Sequence, residues 1–384
     1  MWRLISAVAV LTMLAGLGQT TAGEVWELSQ TYVNPIPGNG DWFGTSIAAV
    51  GNNVVVGVGY HDILMEDDGA AYLFNGKTGE LLQTFDHPVP HTGDQFGRSV
   101  ASAGDNVLVG APSSAYTPDP TPGAAYLFGT SGNLLQTFEN PTPNTNDGFG
   151  YSVAATSEAA VISAPNDDTR GGNAGAAYLF DLSGNLQTTF FSPAASSGAY
   201  FGSSVAIAGE NILIGEGGAD EAAYLFDASG NSLQTFEKPA GTRSGHFGQT
   251  VASLGDDVLI DALDGEHAYL FDSETGDVSQ TFFNPIPGET FGHGIAGAGQ
   301  NVFVGAPSLT MHLFDATSGD LLHTFDNPGG KIGAPIVVMG NGVLTGGGGT
   351  TYLFKPIPEP STLALLAMAV AAIGIGWWRR RRSV

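Results

Sequence analysis

Residues 96–141 read FGRSVASAGDNVLVGAPSSAYTPDPTPGAAYLFGTSGNLLQTFENP, and this stretch decides the fold. It contains four strand-like runs, at Phe96–Ala101, Asn106–Gly110, Ala124–Phe128 and Leu134–Phe138. Gly, Asn and Asp separate the runs, as tight turns between strands require. The second and third runs are apolar throughout, which is typical of a sheet buried on both faces. The first run is rich in small side chains, which suit the innermost strand of a blade near an axis.

The same unit recurs seven times along residues 24–355. A Phe-Gly pair opens each unit, and a Tyr-Leu-Phe marker or a close variant follows it. The Phe-Gly pairs begin at Phe43, Phe96, Phe149, Phe201, Phe247 and Phe291, with a degenerate seventh copy at Ile332-Gly333. Four-stranded units repeated at this spacing predict an all-β fold, a seven-bladed β-propeller.

The two ends of the repeat array are complementary. Ser29–Pro35 resembles Leu135–Pro141, which is a fourth strand, yet no unit precedes it. The last unit stops at Phe354, after its third strand. We therefore expect the N-terminal strand to complete the seventh blade and leave no open sheet edge. An open solenoid is the alternative.

These markers resemble the FG-GAP repeat of integrin-α-type propellers. Gly110-Ala111-Pro112 and Gly305-Ala306-Pro307 match the second half of that motif, whereas Gly215-Glu216-Gly217 and Ile260-Asp261-Ala262 depart from it. The resemblance implies a calcium loop between the first two strands. Here that connection is only a tight turn, such as Gly104-Asp105-Asn106, and it is too short to supply the six to eight oxygens that calcium takes. We therefore do not expect calcium at these turns.

The two termini differ from the body. Residues 1–22 read as a signal peptide with Arg3, an apolar segment and a small-residue cleavage site, although an uncleaved anchor is the alternative. Residues 23–356 form the propeller. Residues 357–384 contain Pro358-Glu359-Pro360, the uncharged run Ser361–Trp378, and four arginines at Arg379, Arg380, Arg381 and Arg382. Eighteen helical residues span about 27 Å, enough for a single transmembrane helix.

The order of these three elements resembles the PEP-CTERM sorting tail. The resemblance implies that an exosortase-type membrane enzyme reads the tail. It also implies release or transfer to the cell surface or extracellular matrix of a Gram-negative bacterium. The physical pattern alone predicts an exported chain that is at least transiently anchored in the membrane by its C-terminal helix. A plain single-span anchor is the alternative.

The charge and composition of the chain exclude some classes of binding partner and metal site. The body carries 7 basic and 36 acidic side chains, a formal charge of −29. Such acidity argues against a nucleic-acid partner, because phosphate contacts need a basic surface. The chain has no Cys, which excludes disulfides and thiolate metal sites.

The sequence also predicts which face binds. One face carries all the length variation, through insertions before the third strand at Tyr60–Gly69, Ser113–Gly123 and Asn166–Gly175. The Pro-rich segments Asn34–Asp41, His87–Asp94 and Asn140–Asp147 join blades on that face. Insertions gathered on one face of a repeat array commonly mark the binding face, with neutral drift as the alternative. The acidic pairs Asp67-Asp68 and Asp167-Asp168 are candidate ligands for a cation such as calcium, or simply solvated groups.

Signs of catalysis are few. The eight histidines show no metal-ligand spacing, and no Gly-x-Ser-x-Gly elbow is present. We expect no enzyme and no cofactor, but a surface or matrix protein that recognises an unknown glycan or protein and acts in adhesion. The alternatives are a purely structural matrix protein and, last, a propeller enzyme acting on polysaccharide or with a quinone. In the quinone case the repeated Trp pattern is missing, because Trp26 and Trp42 are the body's only tryptophans.

Overall fold

The computed structural model describes residues 25–357, apart from 38–41, 61–67, 114–120, 195, 243–245, 263–265, 287–290, 307–309, 327, 329–333 and 348. Glu27–Lys355 is one compact unit. The other unit, Met1–Trp26 with Pro356–Val384, consists almost wholly of residues outside this description. The predicted signal peptide, the Pro-Glu-Pro motif, the transmembrane helix and the arginine cluster all lie outside it.

The described residues form 28 strands in seven antiparallel sheets of four. Strand β1 is Trp26–Val33. Blade 1 contains β2 (Ser46–Val50), β3 (Asn53–Val58), β4 (Ala70–Asn75) and β5 (Leu81–Asp86). Blade 2 contains β6 (Ser99–Ala103), β7 (Asn106–Ala111), β8 (Ala124–Gly129) and β9 (Leu134–Glu139). Blade 3 contains β10 (Val153–Ala155), β11 (Ala159–Ala164), β12 (Ala176–Asp181) and β13 (Leu186–Phe191).

The other blades follow the same order. Blade 4 contains β14 (Phe201–Ala208), β15 (Asn211–Glu216), β16 (Ala222–Phe226) and β17 (Ser232–Glu237). Blade 5 contains β18 (Val251–Leu254), β19 (Asp257–Asp261), β20 (His267–Phe271) and β21 (Val278–Phe283). Blade 6 contains β22 (Gly294–Ala298), β23 (Asn301–Ala306), β24 (Thr310–Asp315) and β25 (Leu321–Asp326). Blade 7 contains β26 (Ile336–Met339), β27 (Gly342–Gly347), β28 (Thr350–Pro356) and, from the chain's start, β1.

The seven-bladed propeller and its closure are confirmed. Strand β1 pairs with β28 as the outer strand of blade 7. The innermost strands of neighbouring blades contact one another around the whole circle, including β26 against β2. Closure packs blade 7 against blade 1 and so covers the blade faces that an unclosed array would expose, while each blade keeps its outer strand as a sheet edge.

One aromatic contact repeats at every blade interface. The Phe near the end of each outer strand packs on the Phe of the next blade's Tyr-Leu-Phe marker. Phe85 and Phe128, for example, have ring centroids 5.3 Å apart. Where blade 7 meets blade 1, Tyr32 of β1 takes this role against Phe74 at 5.6 Å, and its hydroxyl donates to the Gly76 carbonyl at 2.9 Å. Such pairs contribute about 0.5–1.5 kcal/mol each beyond their buried area.

The Phe-Gly signature forms a turn and, except in blade 4, where β14 begins at Phe201, it precedes the first strand. In blade 2 the N–H of Arg98 donates to the carbonyl of Gln95 at 2.9 Å, and Gly97 has φ +88°. Gly fits the third position of this turn because that position needs a positive φ. The first strand of the blade therefore begins at Ser99, three residues later than the predicted Phe96. Phe96 itself is fully buried and anchors the turn in the core.

Candidate functional site

The two faces of the propeller carry different connections. We call the loop face the side where second strands connect to third strands and where one blade connects to the next. Hairpins on the opposite face are short, such as residues 51–52 between β2 and β3. On the loop face, residues 112–123 join β7 to β8, whereas residues 217–221 join β15 to β16.

A cavity of about 900 Å³ opens on the loop face. Residues from all seven blades line it, most of them at the start of an innermost strand, which places it on the propeller axis. Each blade contributes the residue that directly follows its Phe-Gly turn or, in blade 7, the degenerate Ile332-Gly333 copy. We call these seven residues the axial ring: Thr45, Arg98, Tyr151, Ser203, Gln249, His293 and Ala334.

The second residue after Phe-Gly ties the blades together just below this ring. The Ser46 hydroxyl donates to the Gly97 carbonyl at 2.7 Å, and the Ser99 hydroxyl donates to the Gly150 carbonyl at 2.8 Å. Both bonds cross from one innermost strand to the next blade. Hydrogen bonds between blades therefore fix the backbone next to the axial ring, while the residues of the ring itself differ from blade to blade.

Arg98 is the cation of the axial ring. Its Nη2 donates to the Tyr151 hydroxyl at 3.1 Å, and its Cζ lies 4.7 Å from the centre of the Tyr151 ring. A cation over an aromatic face is attracted by the ring quadrupole. None of the described residues lining the cavity is Asp or Glu, although the body carries a formal charge of −29.

An aromatic pair lies at the cavity rim. The rings of Trp42 and Tyr60 have centroids 5.7 Å apart, and Trp42 is 62% exposed. Trp42 precedes the Phe-Gly turn of blade 1 and holds φ +55°. A positive φ is uncommon for a bulky side chain. The conformation belongs to the repeat, since Gln95, the equivalent residue of blade 2, also has φ +55°.

Of the four aspartates predicted as ligands of a cation, the three that the structure describes differ in their burial. Asp67 lies outside the described residues, Asp68 and Asp167 are buried, and Asp168 is exposed. No group of three or more His, Asp or Glu placed to hold a metal occurs within the part of the chain that the structure describes. The cation site stays a prediction, and melting temperatures measured with calcium and with chelator test it.

Asp167 has a structural partner set that explains its burial. Its Oδ2 accepts hydrogen bonds from the hydroxyls of Thr142 and Tyr178, each at 2.8 Å. Its Oδ1 accepts the N–H of Thr169 at 2.8 Å. Burial, together with the charge of Asp167, raises the pKa of Tyr178 above its usual value. The carboxylate thus fastens the 165–175 loop to blade 3.

A buried histidine cluster holds the connection between blades 1 and 2. His87 Nδ1 accepts the N–H of Val89 at 3.1 Å, which leaves Nε2 to face the Tyr126 hydroxyl at 3.2 Å and Asp94 Oδ2 at 3.5 Å. Burial lowers the pKa of His87, and the charge of Asp94 opposes that effect. His87, Asp94 and Tyr126 are all buried. The cluster therefore stabilises the connection between blades 1 and 2, and its three side chains are shielded from solvent.

Sequence reasoning missed the axial ring, and it also missed Glu216, a buried carboxyl group with a raised pKa. The ring could have been found by comparing the repeats, since the residue after Phe-Gly changes in every copy. Glu216 stands where blades 2, 3, 5 and 6 have Ala, and it is fully buried. Its Oε2 accepts the Ser192 hydroxyl at 2.8 Å. Burial raises the pKa of Glu216 to about 7, and nearby Asp220 adds to the rise.

Family comparisons match the repeats and the tail. The FG-GAP repeat model matches residues 37–74, 90–128, 142–180 and 186–226, each match ending on the Phe of a Tyr-Leu-Phe marker. The PEP-CTERM protein-sorting motif matches residues 356–381. The chain therefore carries FG-GAP repeats and a PEP-CTERM motif, which implies export to the surface or exterior of the cell and processing by an exosortase-type system.

Other comparisons bear on the fold alone. No curated protein matches the chain. Among solved structures it resembles virginiamycin B lyase from Staphylococcus aureus, with a TM-score of 0.66 and 12% identity. The match covers 87% of this chain and 100% of that one. In the part of the chain that the structure describes, no helix is long and apolar enough to cross a membrane.

Proposed function

We propose that this exported protein is a non-catalytic recognition protein that acts in adhesion at the cell surface or in the extracellular matrix. Its loop face is the binding surface. The observation that carries the proposal is the axial cavity of about 900 Å³, which opens on the face that also bears the longer loops. Pockets that hold small ligands are commonly about 300–1,000 Å³ and place a few polar groups among apolar ones.

The cavity chemistry suits recognition. Its lining offers the exposed Trp42, the hydroxyls of serine and threonine side chains, and one guanidinium, that of Arg98. The buried acid–histidine cluster of His87 and Asp94 lies closed beneath a loop and does not reach this surface. The cavity groups can bind and orient a ligand. His293 also lines the cavity, but no described hydroxyl forms a hydrogen bond with it, which supports a non-catalytic role.

The C-terminal segment supports delivery to the surface of a Gram-negative bacterium. We propose that residues 361–378 anchor the chain in the inner membrane until the sorting enzyme acts on Pro358-Glu359-Pro360. The four arginines keep the tail's end cytoplasmic, as the positive-inside rule requires. Replacing all four arginines with serine should leave the uncleaved precursor in cell fractions.

A binding screen tests the function. The full-length chain is applied to an array of bacterial glycans and surface proteins, beside Trp42→Ala and Phe283→Ala. Phe283 is 64% exposed on β21 and lines no part of the cavity, so it is the matched control. We expect a saturable ligand that Trp42→Ala weakens and Phe283→Ala does not. No ligand at all would favour a purely structural protein, and turnover of a bound polysaccharide would favour an enzyme.

A further inference from the structure

The geometry points to the axial cavity as a site for an acidic sugar, with Arg98 receiving a uronate carboxylate and the Trp42–Tyr60 pair receiving the sugar ring. This inference rests on the proposed recognition function and names its ligand class. It starts from the distribution of charge. The body has a formal net charge of −29, yet the described residues that line the cavity include no carboxylate and one guanidinium.

The other described Lys and Arg residues are Lys77, Arg170, Lys238 and Lys355, and none of them lines the cavity. Lys238 forms an ion pair with the carboxylate of Glu221. Arg170 lies 4.6 Å from the ring centre of Phe191, away from the cavity lining. Arg98 has no carboxylate partner among the described residues, and it is half-buried. A partly buried guanidinium without a counter-charge favours an anion that supplies one.

The guanidinium is also held in place before any ligand arrives. The Tyr151 hydroxyl accepts one of its N–H groups at 3.1 Å, and the Tyr151 ring supports its plane at 4.7 Å. Arg has five N–H donors, so several remain for a carboxylate, which it can bind in a bidentate way. Preorganisation of this kind reduces the entropy lost on binding.

The rest of the lining favours a sugar over a simple carboxylate. Trp42 presents an exposed ring at the rim, close to Tyr60. An aromatic face packs on the C–H face of a pyranose, and Gln249 and Thr250 across the cavity offer amide and hydroxyl groups to sugar hydroxyls. At physiological ionic strength the Debye length is about 8 Å, so carboxylates elsewhere on the body are largely screened.

Calorimetric titration of the full-length chain tests the inference with three probes: trigalacturonate, the neutral galactotriose, and pentaglutamate. We expect trigalacturonate to bind at least tenfold more tightly than either of the others. Arg98→Ala should weaken trigalacturonate binding by about tenfold or more, the effect of losing a charge-assisted contact. Arg98→Lys should fall between the wild type and Arg98→Ala. Arg170→Ala, the matched control, should bind within twofold of the wild type.

Each contrary result has a distinct meaning. Equal binding of galactotriose, or an Arg98→Ala variant that binds trigalacturonate normally while melting like the wild type, overturns the anion site. Equal binding of pentaglutamate overturns the sugar class. If no sugar binds but the array finds a surface protein, the inference fails and the recognition function stands.

Discussion

Replacing Glu216 with Gln should stabilise the propeller at neutral pH and leave its stability in mild acid almost unchanged. Glu216 ends β15, is fully buried, and accepts the Ser192 hydroxyl through Oε2. Burial raises its pKa to about 7. The Gln amide has the shape of the protonated acid and carries no charge, so it imitates the form that the folded protein prefers.

The size of the effect follows from the pKa difference between the folded and unfolded chains. A rise from 4.5 to about 7, at 1.36 kcal/mol per unit, corresponds to roughly 3 kcal/mol. The folded state holds the proton more tightly than the unfolded state. The contribution of Glu216 to the free energy of unfolding is therefore fully present below pH ~4.5 and is lost as the pH rises through about 7. The Glu216→Gln variant would not show this loss.

Urea unfolding of the wild type and Glu216→Gln from pH 5 to pH 8.5 measures the difference. The range starts at pH 5 because the isoelectric point is near 4.3 and a protein without net charge associates. The stability gained by Glu216→Gln should grow by about 2.5 kcal/mol across this range. Glu210→Gln is the matched control, since Glu210 is exposed at the hairpin of the same blade.

Buried Asp147, whose pKa burial raises to about 6, gives the wild type and both variants the same additional slope. It therefore cancels when the curves are subtracted. A gap between the wild type and Glu216→Gln that stays constant from pH 5 to pH 8.5 would refute the reasoning. It would mean that Glu216 is charged in the folded state throughout.

Two further substitutions test the frame of the propeller. Gly110→Ala should lower the free energy of unfolding by about 2–3 kcal/mol, because its Cβ would lie 2.1 Å from a carbonyl oxygen of the next blade. Gly172→Ala, where nothing lies within 4 Å, should change it by less than ~1 kcal/mol, and equal effects in urea unfolding would contradict the close approach. Asp167→Ala should cost about 2–3 kcal/mol because it removes the carboxylate that accepts the hydroxyls of Thr142 and Tyr178 and the N–H of Thr169. The exposed Asp168→Ala should cost under ~1 kcal/mol, and melting curves that rank the two aspartates in the opposite order would count against that role.

The fold could be predicted from the sequence because its interfaces repeat. Phe-Gly supplies a buried ring and a positive φ in each unit, and Tyr-Leu-Phe supplies the partner ring for the preceding blade. Closure was also predictable, since Tyr32 falls where other units carry the interface Phe. The start of the first strand was wrong by three residues in blade 2, because turn and strand share the same small-residue run.

The site could not be predicted in the same way. The residues of the axial ring come one from each blade, 41–53 positions apart, and no local spacing marks them. The acidic pairs drew attention because they are adjacent in sequence. Asp167 instead accepts hydrogen bonds from the hydroxyls of Thr142 and Tyr178, which lie 25 and 11 residues away in the sequence. Only the folded structure brings these groups together.

The axial ring differs in every blade, whereas the residues that flank it in the sequence recur. Phe96 and Gly97 hold the turn, and Ser99 binds the next blade, so the residue between Gly97 and Ser99 carries none of these constraints. That residue is Arg98, a cation on the axis of a strongly acidic body. Its contact with Tyr151 uses one of its N–H groups, and a ligand on the loop face gives a physical reason for the donors that remain.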